Sequence, residues 1–183
     1  IALSPLTGCT PAVKTAKASS VQQLQEQKKL HVVATTTMLA DLAAEIGGEH
    51  VSVSGLMGPG IDPHLYQASA GDVTLLKQAQ IVIYNGLHLE GKMGEIFESL
   101  SGQGRAVICI EDGLDHEKLL FSEDDPNTYD PHVWFDVTLW KDAARTVANG
   151  FSAANPHYAQ HFQTNLSAYL AELDELDAYV KGR

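Results

Sequence analysis

His31–Met57 reads HVVATTTMLADLAAEIGGEHVSVSGLM, and its hydrophobic period changes twice within that span. HVVAT, residues 31–35, is short and β-branched, the composition of a strand. From Thr37 the apolar positions Leu39, Leu42, Ala43 and Ile46 share one helical face, and Gly47-Gly48 stops the run. Val51 and Val53 then alternate with polar neighbours, which is the period of a second strand. Strand, helix and strand in that order predict a crossover unit with parallel strands.

The same order continues downstream. SAGDVTLLKQA, residues 69–79, opens with Ser69 and Asp72 at the spacing of a capping box, ahead of Val73, Leu75 and Leu76. IVIY (81–84) and AVICI (106–110) are the third and fourth strands, and EGKMGEIFESL (90–100) between them buries Met93, Ile96, Phe97 and Leu100. The expectation is an α/β lobe, a four-stranded parallel sheet with helices on both faces. Asp136 is placed to cap a helix carrying Trp140, Ala143, Ala144, Val147 and Phe151, and Asn155-Pro156 reads as a fresh cap and first-turn proline. Phe162, Leu166, Tyr169, Leu173, Leu176 and Val180 then follow at steps of four and three. At 1.5 Å per residue that stripe belongs to a helix about 35 to 40 Å long, so its far end is expected to overhang the lobe and to need something else to pack against.

The 183 residues suffice for one well-buried core and are too few for two generous domains. Acidic residues outnumber basic ones 23 to 12, for a formal charge of -11, and no Lys/Arg cluster offers a phosphate-tracking face, which argues against nucleic acid as a partner. No stretch is long enough to span a bilayer. Cys109, inside AVICI, reads as a small core residue. Cys9 ends LTGC (6–9), which resembles the bacterial lipobox, where a signal peptide is cut before a cysteine that then carries lipid. On that reading residues 1–8 are a signal-peptide remnant and 9–29 a flexible, lipid-anchored tether. Residues 30–152 form the lobe and 153–183 the long helix. Cys9 then forms no disulfide with Cys109.

Two short segments echo each other, IDPHLYQAS (61–69) and YDPHVWFD (129–136). Each sets a histidine behind Asp-Pro, in loops that follow the second and fourth strands and so leave the same edge of the sheet, where ligands of open parallel sheets bind. Proline fixes its own φ and restricts the residue before it, giving each histidine a stiff backbone. His64 and His132 are therefore the expected metal ligands. Asp62 and Asp130 are candidates to accept the second ring N–H of each. His88, in YNGLHLEG, also follows a strand but lacks the Asp-Pro support and ranks below them. His31 and His50 begin strands at the opposite edge, and His116, His157 and His161 sit in polar segments and read as solvated. Tyr66, Trp134 and Phe135 are expected to wall the site.

With these residues in view, the chain resembles the metal-binding lipoproteins of manganese and zinc ABC importers, the TroA/PsaA-like family. The resemblance runs from about Lys29 to the end, through GPGIDPHLYQAS, IVIYNGLHLEGKMGE and DPHVWFDVTLWKDA. It implies two (β/α) lobes joined by one long rigid helix, with the metal between them, His64 and His132 as the ligands of the amino-terminal lobe, and the stripe from Asn155 as the connecting helix. The second lobe, which in that family adds a glutamate or histidine and an aspartate, is absent from this sequence, so the chain is expected to be a fragment of a longer protein. The zinc-dedicated branch often carries a histidine-rich insertion before its second ligand, whereas EDGLDHEKLLFSEDDPNTYDPH (111–132) has only His116 before His132. Manganese is therefore favoured over zinc, with iron also open.

The function implied is that of an extracytoplasmic solute-binding lipoprotein, a monomer held by lipid on Cys9 at the outer face of the bacterial cell membrane. It would capture one divalent metal ion and pass it to the permease of an ABC importer, performing no chemistry itself. Two rival readings are a surface adhesin lipoprotein and a zinc-dependent hydrolase. The hydrolase lacks support: there is no His-Glu-x-x-His pair, no Gly-x-Ser-x-Gly elbow and no glycine-rich phosphate loop, GPG (58–60) being the nearest glycine cluster.

Overall fold

The computed structural model describes residues 29–123 and 125–183; Cys9 and the segment ahead of Lys29 lie outside the described residues. Strands and helices alternate as β1 (Leu30–Ala34), α1 (Thr37–Gly47), β2 (Val51–Gly55), α2 (Ala70–Gln78), β3 (Ile81–Tyr84), α3 (Gly94–Gly102) and β4 (Ala106–Cys109). Two longer helices follow, α4 (Val137–Ala154) and α5 (Ala159–Lys181). All strand pairings are parallel, in the order β2-β1-β3-β4. The chain thus winds one way from β1 and the other way to β3, which puts the switch in direction between the two central strands.

Successive strand residues feed opposite faces, as the period of two requires. Val32, Ala34, Ile81, Ile83 and Ile108 join Leu39, Leu42 and Ile46 of α1, Phe151 of α4 and Phe162 of α5 in the larger core. Val33 and Val82 join Leu76 of α2 and Met93, Phe97 and Leu100 around α3 in a second core on the other face. The sheet is covered on both sides, which accounts for the near-continuous apolar runs of β1 and β3.

Most helix starts are local chemistry. The Thr36 side chain accepts from Leu39 N to begin α1, and Ser69 and Asp72 form the complete capping box of α2. Asp136 Oδ1 accepts from Thr138 N at 2.7 Å and Leu139 N at 3.2 Å to begin α4. Asn155 departs from the expected pattern. Its side chain makes no cap, Pro156–Tyr158 is a 3₁₀ turn, and α5 begins at Ala159. Packing holds that start instead, with the Tyr158 ring stacked on His50 at 3.8 Å between centroids.

At 23 residues α5 is about 35 Å long. Phe162, Leu166 and Leu173 are buried, Asn165 Nδ2 donates to the Ile46 carbonyl, Trp140 Nε1 donates to the Tyr169 hydroxyl, and Lys141 pairs with Asp174. Beyond that point the stripe is bare: Leu176, Tyr179 and Val180 are 47%, 59% and 57% exposed. No helix among the described residues is long and apolar enough to cross a membrane.

Candidate metal centre

β2 and β4 are the outer strands of the sheet, about 14 Å apart at the usual strand spacing. The long connections that leave their carboxyl ends, 56–69 and 110–136, fold inward over the central strands. They bring His64 Nε2 to 3.4 Å from His132 Nε2, with ring centroids 5.4 Å apart and planes inclined at 56°. Two nitrogens bound to one ion at about 2.0 to 2.1 Å with a tetrahedral angle lie about 3.4 Å from each other, so the pair is spaced for joint ligation. Both side chains are exposed, and among the described residues no group of three or more His, Cys, Asp and Glu side chains converges on a metal position.

The repeated Asp-Pro-His is first of all a backbone device. Asp62 Oδ1 accepts from His64 N and Asp130 Oδ1 from His132 N, each at 2.9 Å, closing the same small turn around each proline. The two aspartates then differ. Asp130 Oδ1 also lies 2.5 Å from His132 Nδ1, whereas among the described residues no carboxylate bonds the His64 ring and Asp62 reaches only the amide. A proton on His132 Nδ1, facing Asp130, leaves Nε2 with its lone pair directed at His64. The backbone amide of His132, followed by its ring, holds the Asp130 carboxyl below the usual carboxylate range.

Trp134 meets the His132 ring edge-on at 5.3 Å, and Phe135, 81% exposed, lines a cavity of roughly 310 Å³ with Lys118, Leu120, Asp130, His132 and Asp136. Tyr66 packs on the second core and donates to Asp72 Oδ2 at 2.8 Å, and burial, with that bond, pushes its hydroxyl up to about 12. His88 lines a separate cavity with Tyr84, Glu90, Phe97 and Glu111. His31 contacts Ser54 Oγ at 3.4 Å, and His50, besides stacking on Tyr158, meets His161 edge-on at 4.7 Å. His50 thus has a packing role that a reading as a strand-starting residue did not assign.

Three buried polar residues beneath the pair also escaped the sequence reading: Thr35, Asn85 and Glu90, 0%, 1% and 4% exposed. Glu90 Oε1 accepts from Thr35 Oγ1 at 2.6 Å and Asn85 N at 2.9 Å, and Oε2 from Gly86 N at 3.3 Å. Burial pushes its carboxyl up, against the pull of those bonds. The available signal was a glutamate set between Leu89 and Gly91 in the turn after the third strand. Cys109 is a free, buried thiol, pushed up to about 11 by burial.

Residues 32–183 match the family described as zinc-uptake complex component A, periplasmic. The manganese-binding lipoprotein MntA of Bacillus subtilis is 42% identical over 176 residues, 96% of this chain and 54% of MntA. The zinc-binding protein TroA of Treponema pallidum is 42% identical over 181 residues, 99% of this chain and 56% of TroA. The solved structure of Treponema pallidum TroA superposes with a TM-score of 0.78 at 44% identity, over 84% of this chain and 54% of that one. The iron ABC transporter substrate-binding lipoprotein MtsA of Streptococcus pyogenes is more distant, 28% identical over 162 residues, 85% of this chain and 51% of MtsA. The chain spans about half the length of the curated relatives it matches.

Proposed function

The chain belongs to the zinc-uptake complex component A family, and from that premise we propose that it captures a divalent transition-metal ion outside the cell and delivers it to the permease of an ABC importer. The observation that carries this reading is the 3.4 Å approach of His64 Nε2 to His132 Nε2 from opposite outer strands. Both imidazoles ligate the ion from one side, Asp130 keeps the His132 ring in the tautomer that offers Nε2, and Asp62 fixes the backbone of His64. The remaining coordination positions face away from the lobe and are filled by water or by ligands opposite the rim. Residues 30–152 act as the metal-binding lobe and 153–183 as its rigid extension. The relatives are named for binding, and this chain is read as a binding protein, not an enzyme.

The names of the relatives divide among manganese, zinc and iron. Manganese is placed first here because the segment before His132 holds only His116 and no histidine-rich insertion. Cys9 is proposed as the lipid-bearing residue that holds a monomer at the outer face of the membrane, supported by the LTGC sequence and by the lipoprotein names of MntA and MtsA. The test is elemental analysis of the protein after exposure to manganese, zinc and iron, beside His64→Ala and His132→Ala. Each substitution is expected to abolish stoichiometric metal, and retention of a full equivalent by both variants overturns the assignment. Cys9→Ala is expected to move the protein from the membrane to the soluble fraction.

A further inference from the structure

His64 and His132 are not held equally. The peptide group between Pro63 and His64 donates its N–H to Asp62, and among the described residues its carbonyl takes only a long bond, 3.4 Å, from Tyr66 N within the same turn. The peptide group between Pro131 and His132 is gripped at both ends. Its N–H goes to Asp130 Oδ1 at 2.9 Å, and the Pro131 carbonyl accepts from Asn85 Nδ2 at 3.0 Å, a donor from the turn after β3.

The Asn85 amide can point only one way, because Nδ2 faces two carbonyls, Pro131 O and Gly86 O at 3.2 Å, and an oxygen there would meet acceptors. Its Oδ1 is buried and has no partner among the described residues. A buried acceptor without a partner is destabilising, and a residue that merely filled the space would avoid it. The Asn85 backbone is itself immobilised, its N–H on Glu90 Oε1 and its carbonyl accepting from Glu111 N at 3.2 Å. Glu90 adds Gly86 N and the Thr35 hydroxyl, so one carboxylate joins the ends of β1 and β3. To wrap around it, the chain takes Leu87 and His88 through left-handed backbone at φ 51° and 62°, costly for residues with a Cβ. One continuous set of hydrogen bonds therefore runs from the centre of the sheet to the peptide that carries His132.

We propose that Asn85 is a positioning residue of the metal site, seated by Glu90, which presets His132 through the Pro131 carbonyl while His64 closes onto it. The proposal rests on the reading of His64 and His132 as ligands. Zinc and manganese ions titrated calorimetrically into the full chain provide the test, with stopped-flow release of zinc to a chelator. Asn85→Ala is expected to weaken binding by about 10- to 100-fold, chiefly through faster release. Leu166→Ala, on α5 beside Asn165, which reaches the last turn of α1 at the opposite edge of the sheet, is expected to lower the melting temperature while leaving affinity and release rate at wild-type values. That control separates positioning from general loss of stability. Glu90→Gln keeps the side-chain volume, and a loss in the same direction is expected there even where Asn85→Ala fails to fold. Wild-type affinity in Asn85→Ala, or in Glu90→Gln where Asn85→Ala does not fold, overturns the positioning role while His132→Ala still abolishes binding. Wild-type binding in both histidine variants overturns the ligand reading and the proposal with it.

Discussion

Two aspartates occupy equivalent places in the repeated Asp-Pro-His, yet only Asp130 reaches its histidine ring. Asp130→Ala is therefore expected to weaken zinc binding by about 10- to 100-fold by calorimetry, and Asp62→Ala by clearly less, since it loses a turn and no ring contact. The repeat itself, its prolines and the pairing of the histidines were legible in the sequence. Which carboxylate touches which ring was not, because that depends on a side-chain torsion that identical tripeptides leave free. The buried Cys109 thiol and the half-buried Tyr66 hydroxyl give a pH prediction. Burial raises Cys109 to about 11 and Tyr66 to about 12. Each group binds its proton more tightly when folded, so its stabilisation is complete below the ordinary values of about 8.5 and 10 and is lost as pH climbs through the folded ones. Urea midpoints should fall between about pH 9 and 12, and alkylation of native Cys109 should stay slow at neutral pH, as followed by mass spectrometry.

At the scale of elements, the helices were legible where one short-range rule sufficed. Ser69 and Asp72 announced α2 by spacing, and Ser69→Ala is expected to lower unfolding free energy by about 1 kcal/mol in urea titrations. Gly47 and Gly48 were legible as a stop, but the reason for Gly47 is spatial. A Cβ there would stand 2.2, 2.5 and 2.9 Å from Cγ2, Cγ1 and Cβ of Val51, the first residue of β2. Helix propensity favours alanine over glycine by about 1 kcal/mol. The clash with a stiff β-branched side chain outweighs that gain, and Gly47→Ala should destabilise by about 1 to 3 kcal/mol. Pro156 does open the first helical turn, but Asn155 gives it no side-chain cap, and the chain there is held by the His50–Tyr158 stack, a partner more than a hundred positions away. Strand order was equally hidden, since periodicity reports burial and not neighbours. The sheet turned out to place the two histidine loops on its opposite outer strands.

For the whole molecule, the alternation of strand and helix determined the architecture, and the four-and-three stripe correctly predicted a helix that outruns its lobe. Its two halves differ in energetic weight. Phe162, fully buried against Phe151 of α4 and the His50 and Tyr158 rings, should cost about 3 to 5 kcal/mol as Phe162→Ala. Leu176→Gln, on the bare turns, should change stability by less than about 0.5 kcal/mol, both read from chemical unfolding. Mechanically α5 is a stiff rod clamped along the part that ends at Leu173. The turns from Leu173 to Lys181 run on for about 12 Å, so tilting the clamped part by five degrees shifts Lys181 by about 1 Å. A small repacking among α1, α4 and α5 is thereby converted into displacement at a distance, with the helix as the lever arm.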